Sequence, residues 1–158
     1  MAARLNYAKA FPEGIHALLN QDRVIAASGL ELPLLELVKT RASQLNGCAY
    51  CIDMHSKDLR AEGESEERLY LLDAWRETDF YSDRERAALA WAEAVTLISH
   101  SHVPDDVYEQ ARQQFTDDEL AKLTLAVVSI NGWNRFGIAF RAAPGEYQPT
   151  RQHEAAMT

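Results

Sequence analysis

Apolar residues recur along this chain at spacings of three and four rather than two. That periodicity predicts helices over 11–27, 31–46, 48–62, 65–77, 82–99, 104–114 and 117–140, and no run of alternating apolar and polar residues is long enough for a strand. Several helix starts carry caps. Ser82 and Glu85 have the spacing of a capping box, and Thr116 is followed by Asp117, Asp118 and Glu119, acidic side chains in a first turn where the helix dipole favours them. Pro104 with Asp105 and Asp106 opens the short helix before Thr116. The pattern specifies an all-α fold.

Within these helices the apolar faces differ in width. The helix after Ser82 carries Ala88, Trp91, Ala92, Val95 and Ile98 on one narrow face, suited to packing between other helices. The segment LTLAVVSINGWNRFGIAF is apolar nearly all round, as expected of a central helix or one covered further by a subunit interface. Gly132 and Gly137 inside it each lose about 1 kcal/mol of helix propensity relative to Ala, so close helix approach or a kink is expected there. Between 31 and 46 the stripe is Leu34, Leu35, Val38, Ala42 and Leu45; Glu36 projects roughly 150° from its centre and by periodicity alone is a solvated carboxylate. The tail from Ala143 to Thr158 has no periodicity and is expected to be largely extended or mobile. With no repeat and no low-complexity segment, residues 1–158 form a single domain with a tail from about 143.

Composition narrows the function. A chain of 158 residues, 47% of them hydrophobic, can build one ordinary core. The formal charge of -8 disfavours nucleic acid or an anionic membrane as the main partner. No stretch approaches the ~20 apolar residues of a membrane span, and MAARLNYAKAFPEG lacks the apolar region of a signal peptide, so a cytoplasmic protein is expected. There are only two cysteines, three positions apart, and a chain of this size needs no disulfide staples to hold its core together, which points to a chemical role.

Both lie in Asn46-Gly47-Cys48-Ala49-Tyr50-Cys51-Ile52-Asp53-Met54-His55. Asn46-Gly47 ends one helix, so the Cys-x-x-Cys starts the next, and Cys48, Cys51, Ile52, His55 and Leu59 fall in a stripe about 100° wide. A thiol at its ordinary pKa of ~8.5 is mostly protonated at neutral pH, and two features favour the thiolate. The helix N-terminus favours Cys48; His55, at i+4, favours Cys51. Helix physics leaves the nucleophile open between them. Whichever cysteine attacks, the other can resolve a sulfenic acid into a disulfide that an outside dithiol must reduce. Competing readings are a chance pair of core cysteines, and a zinc site in which Cys48, Cys51 and His55 are joined by His16, His100, His102 or His153. A thioredoxin-like motif would need a βαβ context that is missing here. Among other polar residues, Asn131, Asn134 and Arg135 are expected to bond to a neighbouring helix, Asp53, Lys57, Asp58 and Arg60 to form a solvated face with local ion pairs, and His100 and His102 to lie in a loop. No motif for a nucleotide, flavin or haem is found, so no cofactor is expected.

At Glu36, eleven residues, Cys48, Tyr50, Cys51 and His55, the sequence resembles the AhpD-like alkyl hydroperoxidase branch of the carboxymuconolactone decarboxylase superfamily, from about Leu34 to the Asn131–Arg135 segment. The resemblance implies an all-α chain assembled as a trimer or hexamer that reduces organic hydroperoxides, with an external dithiol, in some members a lipoylated protein, as reductant. It implies that Cys51 becomes the sulfenic acid, that Cys48 resolves it, and that Glu36 and His55 relay the thiol proton. Glu36 then needs a second buried face, made by the Cys48 helix or a neighbouring subunit. Tyr50 stands where the better-known hydroperoxidases carry histidine; a phenol with a pKa of ~10 can donate a hydrogen bond to peroxide but is a poor base. The superfamily's name also raises lactone decarboxylation by acid and base residues, and Tyr50 in place of histidine leaves a third reading, a non-catalytic oligomeric redox sensor.

Overall fold

The computed structural model describes residues 2–149. Nine α-helices and one 3-10 helix follow one another, with no strand among the described residues: α1 (Tyr7–Ala10), α2 (Pro12–Ala26), α3 (Leu32–Asn46), α4 (Ala49–Ala61), α5 (Glu66–Tyr70), the 3-10 helix Leu72–Glu77, α6 (Asp83–Thr96), α7 (Ile98–Ser101), α8 (Asp105–Gln114) and α9 (Asp117–Phe140). α3 is the hub and packs against α4, α6 and α9, while α2 lies along α9 and α8 closes over α6 and α9.

The core explains that placement. Leu34, Leu35 and Val38 of α3 join Ala88, Trp91 and Ala92 of α6 and Leu123, Ala126 and Val127 of α9 in the main apolar cluster. A second cluster takes Leu37 from another side of α3, with Leu59, Leu72, Trp75, Tyr81 and Leu89. α3 is therefore buried on more than the one stripe its sequence displays. The third cluster is small and holds Ala42, both cysteines and Ile130.

Helix ends follow their caps. Capping boxes form at Ser82 with Glu85 and at Thr116 with Glu119. Gly47 adopts φ 70°, and the amides of Gly47 and Cys48 bond back to Gln44 and Ser43 in the left-handed stop that only glycine makes without strain.

Three boundaries differ from the sequence expectation. α1 was not anticipated; it is a four-residue turn capped by Asn6, too short to show a period. The segment 65–77 divides, because the tighter 3-10 geometry sets Leu72 and Trp75 on one edge and buries both. The helix expected to reach 99 stops at Thr96, in a run of β-branched and polar residues with weak helix propensity. Ile98 falls beyond the break and is 53% exposed, so it leaves the core face that Ala88, Trp91 and Ala92 form. His100 accordingly sits on α7 rather than in a loop, and His102 ends that helix with φ 52°.

Residues 142–149 form no helix, as expected, but they are fastened rather than loose. Lys57 Nζ donates to the carbonyls of Tyr147 (3.0 Å) and Gly145 (3.3 Å), and the Gly145 amide donates to Asp53 Oδ2 at 2.9 Å. The rest of the tail, with His153, lies outside the described residues.

Candidate active site

The Gly47 stop sets the geometry of the cysteines. With φ −85° and ψ 95°, Cys48 is the N-cap of α4, and one turn on Cys51 is joined to it by a disulfide with a Cα–Cα distance of 5.4 Å. The sulfurs are buried between Ala42 of α3 and Ile130 of α9, with Tyr50 and Trp133 packed beside them. α9 comes close because residue 137 is glycine: a Cβ there would lie 3.0 Å from Cys48 Sγ and 3.7 Å from Cys51 Sγ. Gly137 thus permits close approach, as anticipated, whereas Gly132 faces open space.

One turn beyond Cys51, His55 is buried and its Nδ1 lies 2.6 Å from Glu36 Oε2. Lys39 Nζ holds the other oxygen, Oε1, at 2.8 Å. α4 covers the face of α3 that carries Glu36, so the second buried face comes from within the chain. Burial pushes the Glu36 carboxyl up, but the His55 hydrogen bond and charge, with Lys39, outweigh it and hold the pKa at about 2. An ionised carboxylate only accepts hydrogen bonds, so His55 Nδ1 donates and Nε2 is left to take a proton from elsewhere.

Asp58, one turn past His55, is half-buried. Its Oδ1 accepts the Tyr147 hydroxyl at 2.7 Å, and a ligand atom of each of Glu36, His55 and Asp58 lies within 4.8 Å of the others. Burial raises the Asp58 carboxyl, the Tyr147 bond opposes this, and the Glu36 charge adds to it. Burial and the Asp58 bond raise the Tyr147 phenol.

These groups open onto a cavity of about 500 Å³ walled by Tyr7, Leu19, Tyr50, Met54, Ile130, Trp133 and Tyr147 around the polar set Asp22, Glu36, Lys39, His55 and Asp58, with Gly137 at the sulfur side. A second hollow of about 340 Å³ continues it past Leu19, Asp22, Glu36, Lys39, Asp58 and Tyr147. Asp22 pins α2 to α9 across this space, accepting from Ser129 Oγ and Trp133 Nε1, both at 2.6 Å.

Of the residues singled out in the sequence, Cys48, Cys51, His55 and Glu36 come together, and Tyr50 lines the cavity beside them. Asn134 is fully buried, donates to Ser43 Oγ and accepts from Asn46 Nδ2, which also donates to Asn131; these bonds tie the end of α3 to α9. Arg135 departs from expectation by bonding to Asn131 of its own helix. Asp53 and Lys57 do pair, at 2.9 Å, but they serve the 142–149 segment rather than a solvated face, and Asp58 belongs to the site. The zinc arrangement is not formed: the sulfurs are bonded to each other and His16 is exposed on α2. Among the described residues the grouping close enough to hold an ion is instead Glu36, His55 and Asp58, whose carboxylates already engage Lys39 and Tyr147. Asp58 had a signal in the sequence, its i+3 spacing from His55; Tyr147 had none, because its place depends on the tail folding back.

Fold and site together define a small all-helical protein with a paired-cysteine centre at the start of a helix, backed by a histidine–carboxylate pair. The profile of the Carboxymuconolactone decarboxylase family matches residues 10–94, and the chain belongs to that family, in its AhpD-like branch. It is 42% identical over 139 residues to the uncharacterized protein YdfG of Bacillus subtilis, covering 88% of this chain and 95% of YdfG. A solved structure from Agrobacterium tumefaciens, of unknown function and linked in name to the antioxidant defence protein AhpD, shares 43% identity with a TM-score of 0.89 over 92% of this chain and all (100%) of that one. The AhpD core of an uncharacterized peroxidase-related protein from Ralstonia eutropha has a TM-score of 0.78 at 21% identity, over 89% of this chain and 75% of that one, a likeness of fold. Among the described residues no helix is long and apolar enough to cross a membrane.

Proposed function

We propose that this protein is a thiol-dependent peroxidase that reduces organic hydroperoxides through a Cys51 sulfenic acid and a Cys48–Cys51 disulfide. One observation carries the reading: a disulfide of adjacent-turn cysteines lies one turn before a His55–Glu36 pair that borders a largely apolar cavity, and the sulfurs sit just behind the wall of that cavity, against Gly137 and Ile130. His55 Nε2 takes the Cys51 proton while the Glu36 carboxylate steadies the imidazolium through Nδ1. The thiolate attacks the distal peroxide oxygen, forming S–O as O–O breaks and the alcohol departs. Cys48 then attacks the sulfenic sulfur, closing the disulfide and releasing water, and an external dithiol, which a lipoylated protein could supply, returns both thiols. In this reading Tyr50, which lines the cavity, donates a hydrogen bond to the peroxide.

The test is consumption of cumene hydroperoxide by the reduced protein with dithiothreitol or dihydrolipoamide. Wild type is expected to turn over, Cys51→Ser to be inactive, and Cys48→Ser to stop at a sulfenic acid that dimedone traps. Undiminished turnover by Cys51→Ser rules out the assignment of the nucleophile; absence of turnover by wild type rules out the peroxidase.

A further inference from the structure

The peroxide step leaves a proton to be placed. When Cys51 attacks an alkyl hydroperoxide, the O–O electron pair leaves on an alkoxide, the conjugate base of a group about as weakly acidic as water, with a pKa near ~15.7. Such a leaving group needs an acid within reach, and His55 sits on the thiol side, having just accepted a proton there. Of the tyrosines lining the cavity, Tyr147 is the one among the described residues whose hydroxyl is bonded to a carboxylate, Asp58 Oδ1 at 2.7 Å. Its backbone is held against α4 by Lys57 and Asp53.

We propose that Tyr147, positioned by Asp58, is the acid that protonates the oxygen leaving the peroxide in the reaction proposed above, on which this role rests. The balance closes within the site. Cys51 gives its proton to His55; S–O forms and O–O breaks; the Tyr147 hydroxyl turns its proton from Asp58 Oδ1 to the alkoxide, which takes it and leaves as the alcohol. The tyrosinate recovers a proton through Asp58 from His55, whose polar atoms lie within 4.8 Å of each other, a separation that a single bridging water relays. Reactants and products are then one thiol and one hydroperoxide against one sulfenic acid and one alcohol, with no net proton exchanged with solvent. Burial and the neighbouring Glu36 charge raise the Asp58 carboxyl, which suits it to hold a proton in transit. Tyr147 is the catalytic residue here and Asp58 the positioning one.

Leaving groups separate this role from a structural one. A peracid expels a carboxylate, whose conjugate acid has a pKa of ~4 and which needs no proton to depart. Thiol loss in the reduced protein is followed by stopped flow, in a single turnover without external reductant, with cumene hydroperoxide and with peracetic acid, for wild type, Tyr147→Phe, Asp58→Asn and Tyr50→Phe. Tyr147→Phe is expected to slow the alkyl hydroperoxide about 10²-fold, the low end for lost general acid catalysis, and the peracid by less than about 3-fold. Asp58→Asn shifts the same ratio in the same direction. Equal slowing of both oxidants by Tyr147→Phe, or of neither, overturns the acid role and leaves the peroxidase reading standing; the selective loss in Tyr50→Phe instead moves the role to Tyr50 and overturns it likewise. If reduced wild type reacts with neither oxidant, the peroxidase reading falls and Tyr147's role with it.

Discussion

At Glu36 two opposing effects meet in one side chain. Burial raises its carboxyl, while the His55 bond and charge and the Lys39 ammonium lower it, and the attractions win: the folded pKa is about 2 against an ordinary 4.5. A depressed carboxyl binds its proton more weakly in the folded protein than in the unfolded one. Its stabilisation is therefore complete above about 4.5 and is lost as pH falls towards 2. The shift corresponds to at most about 3 kcal/mol. Glu36→Gln removes this term, so denaturant-derived stability plotted against pH should fall more steeply for wild type than for the variant between those limits. Parallel curves would mean that the pair does not form in solution. The same variant leaves His55 without its anion, and the rate of Cys51 oxidation at neutral pH is expected to drop by about 10²-fold.

The two glycines of α9 turn helix packing into a paired experiment. At Gly137 an added methyl would sit 3.0 Å from Cys48 Sγ, so the sulfurs or the helix must move; at Gly132 nothing lies within 4 Å. Gly132→Ala is expected to raise stability by up to about 1 kcal/mol through helix propensity alone. Gly137→Ala gains the same propensity but suffers overpacking of about 1–3 kcal/mol, giving a net loss in thermal denaturation of the oxidised protein. Stabilisation by both substitutions would show that α9 does not press on the disulfide. This contrast also marks how far the sequence could be followed. Periodicity located α3, α4 and α9, and the Asn46-Gly47 stop placed Cys48 at a helix start. It could not show that α3 is buried on several faces, since Leu37 and Glu36 lie off the stripe led by Leu34 and Leu35; the family spacing, not the helix pattern, brought Glu36 forward. Nor could it distinguish Gly137 from Gly132, or bring Tyr147 to Asp58, because both depend on which segments meet in space. Ile98 failed for a local reason, a weak helical run that ended α6 early.

For the molecule as a whole, the question is whether the disulfide holds the fold or works on it. The two larger apolar clusters contain neither cysteine; the third, with Ala42 and Ile130, contains both. The bridge spans a sequence separation of only 3, and so short a loop restricts the unfolded chain by about 2 kcal/mol. Reduction is therefore expected to leave the helical circular dichroism unchanged and to lower the melting temperature by about 4–8 °C. Collapse on reduction would make the bridge a structural staple and remove the basis for a redox cycle, which needs both states folded. Sedimentation of the same two samples, referred to a chain mass of 17.8 kDa, addresses the assembly. A peroxidase working by the route above moves its sulfurs within one chain, so the oligomer expected from the family should keep one size in both states. A redox sensor must carry the change outwards, and a size that switches on oxidation, together with absent turnover, would assign the cysteines to signalling instead.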